Sequence, residues 1–146
     1  MTAEKQGKRP QRQEFAVLSK LLGSLELEVM EHMWHTGEAT VRQVAEAINR
    51  DRPVAYTTVM TVMGHLVDKG LLICIKERKR YRYRLAQSKN EFLRESSRNM
   101  VRTLLDDFGD LAIAGFLGEI DRVDADRLEQ LRGMAQKVSD ETDTSS

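Results

Sequence analysis

Apolar residues recur along most of this chain at helical spacing, and one stretch breaks that rule. Leu25, Val29, Met30, Met33 and Trp34 form a broad face, with Glu26, Glu28 and Glu31 outside it. Ser24 is placed as the N-cap of this helix, which runs to about Trp34 before Gly37 stops it. Thr40 and Gln43 have capping-box spacing, and Val41, Val44, Ala45 and Ile48 follow on one face. That second helix ends near Asn49, ahead of Pro53. Ala55 to Lys69 is rich in strand formers at Tyr56-Thr57-Thr58-Val59. Val59, Val62, Met63, Leu66 and Val67 nevertheless keep a helical period, so a third helix is predicted, closed by Gly70. The period then switches to two. Leu71 to Lys76 is β-prone, and Tyr81 to Leu85 puts Tyr81, Tyr83 and Leu85 opposite Arg80, Arg82 and Arg84. A hairpin with Glu77-Arg78-Lys79-Arg80 at its tip is expected.

Helical spacing returns after the hairpin. Ser88 and Glu91 form a second capping box. Leu93, Met100, Val101, Leu104, Leu105 and Phe108 then lie at bundle-like spacing. Leu111 to Ile120 is apolar but interrupted by Gly115 and Gly118, which reads as a short helix or two turns. Asp124 caps a last helix with Val123 and Leu128 as a hydrophobic staple and Leu128, Leu131, Ala135 and Val138 along its face. Residues 1–20 are polar without sustained period and read as a disordered arm. Residues 140–146 read as an acidic disordered tail. The expected domains are therefore 21–87 and 88–139.

Composition changes this picture only when it is divided. Over 146 residues, 23 Lys+Arg balance 23 Asp+Glu, which by itself argues against nucleic acid. Up to Asn90, however, there are 16 basic and 10 acidic residues, and beyond it 7 and 13. The halves carry +6 and −6. Such asymmetry points to an anionic partner for the first half. The run Lys76 to Arg84 alone holds six cations and one anion. One cysteine excludes a disulfide framework and a Cys-rich zinc site. No apolar run suits a signal peptide or a membrane span, so a cytoplasmic protein with no membrane partner is expected.

Three helices followed by a basic hairpin is the order of a winged helix-turn-helix. The fold class expected is mainly α with a small β-hairpin, a winged-helix domain followed by helices that dimerise. A third helix buried on one face leaves Thr57, Thr58, Thr61 and His65 free for a major groove. Threonine there bonds base edges and packs its methyl on thymine. Arg42, at the start of the second helix, is placed to meet phosphate. Arg78, Lys79, Arg80 and Arg82 are placed to meet phosphate or minor groove. Tyr56 reads as a packing or phosphate residue. The C-terminal stripes of Leu93, Met100, Leu104, Leu105, Phe108, Phe116, Leu128 and Leu131 are too few for a core of their own. A second copy is the economical cover, giving a homodimer.

The stretch from Leu22 to about Leu85 resembles the BlaI/MecI/CopY penicillinase-repressor family. The resemblance is carried by Leu25-Glu26-Leu27-Glu28-Val29-Met30, Trp34, Thr40-Val41-Arg42-Gln43-Val44, Ala55 to Met63, Leu66, Lys69-Gly70 and Tyr81-Arg82-Tyr83. It implies a repressor that binds a palindromic double-stranded DNA operator as a homodimer. Beta-lactam-responsive members of the family are cleaved at an Asn-Phe bond through a sensor-protease pathway. Gly115-Phe116 stands at that place here, keeping Phe but not Asn. The Cys-x-Cys motifs of copper-responsive members are absent, so the inducing signal stays open.

Blander readings stand beside these. The basic run could be a solvated hairpin, and Thr57 or Thr58 merely an N-cap. His32 and His35 suggest a structural or exposed pair rather than metal ligands. Cys74 reads as a small buried hydrophobe. No catalytic constellation stands out, so no enzymatic activity, cofactor or metal is expected. The rival function is a winged-helix module that binds an acidic protein rather than DNA. A third is a sensor of a small ligand in the C-terminal helices, where no pocket is marked.

Overall fold

The computed structural model describes residues 2–144, with side chains described for residues 12–137. Its elements are α1 Thr2–Leu21, α2 Ser24–Thr36, β1 Glu38–Thr40, α3 Val41–Asn49, α4 Tyr56–Asp68, β2 Leu72–Glu77, β3 Arg80–Leu85, α5 Lys89–Phe108, α6 Asp110–Ile120 and α7 Ala125–Thr144. They form two compact units, divided between Ser96 and Ser97 within α5.

The first unit is a winged helix. The buried sides of α2, α3 and α4 meet in one core, with Met30, Val44, Val59, Met63 and Leu66 fully buried. Burying side chains of this size stabilises by roughly 1.5–3 kcal/mol each. Both predicted capping boxes are formed. Gln43 N donates to Thr40 Oγ1 at 3.2 Å, and Thr40 N donates to Gln43 Oε1 at 2.9 Å. Ser88 N and Glu91 Oε2, and Glu91 N and Ser88 Oγ, are each 3.1 Å apart. At the end of α4, Gly70 adopts φ +78° while Leu71 N reaches Leu66 O at 2.9 Å and Gly70 N reaches Val67 O at 3.0 Å. This Schellman motif turns the chain directly into β2.

Five expectations change. Residues 1–20 were expected to be a disordered arm. Thr2–Leu21 is a helix instead, and its C-terminal end is held because Leu18 and the following Leu22 are buried in the core; Met1 lies outside the described residues. The N-cap of α2 is Gly23 rather than Ser24, because its amide donates to Glu26 Oε1 at 2.9 Å. The wing has three strands, in the order β1-β3-β2. β1 has only three residues, too few to show a period, and pairs Ala39 with Tyr83. Cys74 is exposed rather than buried, because β2 is an edge strand whose outer half has no layer over it. The acidic tail was expected to be disordered, yet α7 runs to Thr144; Ser145 and Ser146 lie outside the described residues.

The second unit is helical throughout. α6 is continuous through Gly115 and Gly118. Gly109, with φ +56°, separates it from α5. Asp124 caps α7 through its Oδ1, which accepts from Asp126 N at 2.9 Å. Neither α5 nor α6 has a buried residue.

Candidate nucleic-acid interface

The turn between α3 and α4 is set by one side chain. Asn49 Nδ2 donates to Ala45 O at 2.7 Å and to Val54 O at 2.9 Å, while its Oδ1 accepts from Val54 N at 3.0 Å. These bonds fix the residues between the two helices and so the angle at which α4 leaves. Sequence reasoning did not single out Asn49. Its signal is an Asn at a helix end four residues before a chain reversal.

From this anchor α4 buries Val59, Met63 and Leu66 and exposes the opposite side. Thr57, Thr61 and His65 stand four residues apart and form one exposed row. Thr58 and Met60 are exposed on its two flanks. The N-cap of α4 is Ala55, and no side chain caps it. Thr57 and Thr58 are therefore not spent as caps. Thr61 Oγ1 donates to Thr57 O at 3.0 Å, which leaves its oxygen lone pairs and methyl outward.

A groove of about 350 Å³ runs beside this row. Arg42 and Gln43 at the start of α3 form one wall, Tyr56 and Met60 of α4 the floor, and Lys79, Arg80 and Tyr81 of the wing the other wall. Three of its lining residues are cations and none is a carboxylate. Arg42 lies 3.4 Å from Glu46, an exposed i,i+4 pair of the kind worth only tenths of a kcal/mol, so it remains available. Tyr83 closes the groove. Burial first, then its hydrogen bond with the Cys74 thiol, push its hydroxyl up to about 12, so no phenolate charge forms there near neutral pH.

Strand alternation sorts the paired residues of the wing. The register pairs Cys74 with Tyr83 and Lys76 with Tyr81 on the groove side of the sheet, and Ile75 with Arg82 and Ile73 with Arg84 on the other. Arg82 lies on that outer face, 3.2 Å from Glu38 and 3.5 Å from Glu77. Arg78 and Lys79 are the two turn residues, and Arg80 is the first of β3. Arg80 has the parity of Arg82 but adjoins the turn, and it lines the groove with Lys79, while Arg78 is at the tip and Arg82 is held in ion pairs. Gln43, Met60 and Tyr81 are groove residues that sequence reasoning missed, since only the sheet brings them together.

The chain matches the family model described as Penicillinase repressor over residues 22–137. It belongs to the penicillinase repressor family. It is 39% identical over 114 residues to the transcriptional regulator BlaI of Mycobacterium tuberculosis, in strains CDC 1551 / Oshkosh and H37Rv, covering 76% of this chain and 80% of the relative. This member of the penicillinase repressor family is accordingly a winged-helix DNA-binding transcriptional repressor and not an enzyme. Among solved structures, it is similar to a homodimeric winged helix-turn-helix domain of a possible ArsR-family regulator from Mycobacterium bovis. That likeness has a TM-score of 0.42 and 22% identity over 70% of this chain and 87% of the other. A MarR family regulator from Silicibacter pomeroyi DSS is similar at TM-score 0.45 and 19% identity, over 96% and 85% of the two chains. At these scores the likenesses add nothing to the family match. Among the described residues of this repressor no helix is long and apolar enough to cross a membrane. No group of three or more His, Cys, Asp or Glu among them is placed to hold a metal ion.

The expected dimerisation residues fall into two sets. Leu93 is half-buried, with Phe92, against the winged-helix core, and so serves that unit. Met100, Leu104, Leu105, Phe108, Phe116 and Leu131 are exposed, and Leu128 is half-buried. Gly115 and Phe116 stand mid-helix in α6.

Proposed function

We propose that this repressor binds a palindromic operator as a homodimer, with α4 in the major groove and the wing on the flanking backbone or minor groove. The observation that carries this reading is the exposed Thr57-Thr61-His65 row beside a groove lined by Arg42, Lys79 and Arg80 and by no carboxylate. Threonine hydroxyls serve as donor or acceptor to base edges, and the cations supply the phosphate attraction that positions them. Dimerisation rests on the second unit. Phe108 and Phe116 are each 58% exposed and Leu111 is 77% exposed, a density of bare apolar surface that a soluble helix cannot keep uncovered. Two-fold symmetry then presents two copies of α4 to half-sites roughly 34–36 Å apart, or a multiple of that.

The protein's own upstream DNA, titrated against random duplex in a mobility-shift assay, tests the reading. A preference over random duplex by orders of magnitude is expected. Equal binding of both would overturn operator recognition, and binding of neither would favour the rival, a module for acidic proteins. Release through a sensor-protease cut at Gly115–Phe116 requires α6 to unwind locally first, since the bond lies within a formed helix.

A further inference from the structure

A second cavity of the winged-helix unit lies apart from the basic groove. A pocket of about 530 Å³ opens where α1 meets α2 and α3. That volume falls in the range of small-molecule sites. Its floor is apolar, made by Leu22, Leu27 and Ile48, which are all buried in the core. Phe15, 61% exposed, forms a wall from α1. The family match begins at residue 22, so Phe15 and the neighbouring Ser19 belong to a part of this chain outside it.

The polar part of the lining has one sign. Glu28, Glu31 and Asp51 line the pocket, and among the described residues no Lys or Arg does. Arg52 pairs with Glu28 and Lys89 with Glu31, whereas Asp51 makes no ion pair among the described residues. His32 also lines the pocket. Burial first, then the charges of His35 and Arg50, lower its pKa, so it adds no positive charge near neutral pH. An apolar floor under carboxylates suits a ligand with an apolar body and a positive charge.

We propose that this pocket is an effector site for a small hydrophobic organic cation. The inference goes beyond operator binding and does not depend on it. Glu31 gives the site a route outward. Its carboxylate lies 3.2 Å from Lys89 Nζ, and that ammonium stands 5.2 Å from the ring centroid of Trp34. Trp34 in turn lies 6.3 Å from Phe92, centroid to centroid, and its buried indole N–H has no hydrogen-bond partner among the described residues. A cation bound beside Glu31 competes with Lys89. It thereby loosens the first turn of α5 from α2, and the chain's single tryptophan senses it.

Isothermal calorimetry on the full chain with tetraphenylphosphonium tests the proposal, with tetraphenylborate as a probe of matched shape and opposite charge. Saturable binding of the phosphonium is expected, with a change in Trp34 emission and no matching binding of the borate. Ser19→Trp, which fills the pocket from an exposed helix position, should abolish it. Asp51→Asn should weaken it about fivefold and keeps the test open if the first variant folds poorly. Absent phosphonium binding, equal binding of both ions, or binding untouched by both variants overturns the proposal. A changed oligomeric state of Ser19→Trp in sedimentation would also overturn it, in favour of a second copy filling the pocket. All these readouts use protein without DNA, so their failure is distinct from failure of the operator reading.

Discussion

Two arginines two residues apart on β3 show how far position outweighs identity. Both alternate onto the same side of β3, yet Arg80, beside the turn, lines the groove, while Arg82 lies between Glu38 and Glu77. Arg80→Ala should weaken binding to every duplex alike and lower the slope of log affinity against log salt by about 1. Arg82→Ala should leave that slope unchanged, as titrations across salt concentrations will show. Glu26 makes a second prediction at this scale. Burial acts to raise its carboxyl pKa, but the Lys69 hydrogen bond, the Gly23 amide and the Lys69 charge outweigh burial, and the value ends below the ordinary 4.5. A depressed carboxyl pKa stabilises the fold above its unfolded value, and that contribution is lost as pH falls through the folded one. Glu26→Gln should therefore be destabilised near neutral pH and lose less on acidification. Urea melts at stepped pH values from 4.5 downward measure the difference.

At the scale of elements, α4 and the wing act through one joint. Gly70 at φ +78° ends the helix and starts the strand that carries the tip. A Cβ meets no neighbour there, so the cost of Gly70→Ala is backbone strain alone, about 1–2 kcal/mol, read as a lower urea midpoint at unchanged slope. The helices and the hairpin were legible from the sequence because their periods and caps are local. Val59, Met63 and Leu66 declare the buried side of α4 within eight residues. β1 was not legible, because a three-residue strand is defined by its partner β3 and not by its own pattern. The end of α1 was missed for the same reason. Leu18 and Leu22 look like scattered apolar residues until the core they enter is known.

For the whole molecule, the second unit is the part whose stability is least explained by a single chain. Leu104, Phe108 and Phe116 are exposed on helices that bury nothing of their own. Leu104→Glu, which puts a charge on that surface, should give monomers in analytical ultracentrifugation and sharply weaker operator binding. The circular dichroism of the winged-helix unit should be retained. A variant that stays dimeric would place the subunit contact elsewhere.

Local sequence set the order of α2, α3, α4, the β2–β3 hairpin and the later helices, both capping boxes, the glycine that turns α4 into the wing, and the opposed charges of the two halves. All of these depend on residues near one another in the chain, where periodicity and side-chain chemistry act directly. The tertiary structure decided which candidates share a surface. It brought Gln43, Met60 and Tyr81 to Arg42 and Arg80, and it held Arg82 between Glu38 and Glu77. It exposed Cys74 at a sheet edge and built an acidic-rimmed pocket against α1. Those outcomes depend on strand register and helix packing between distant segments, where a shift of one residue exchanges the two faces of a strand.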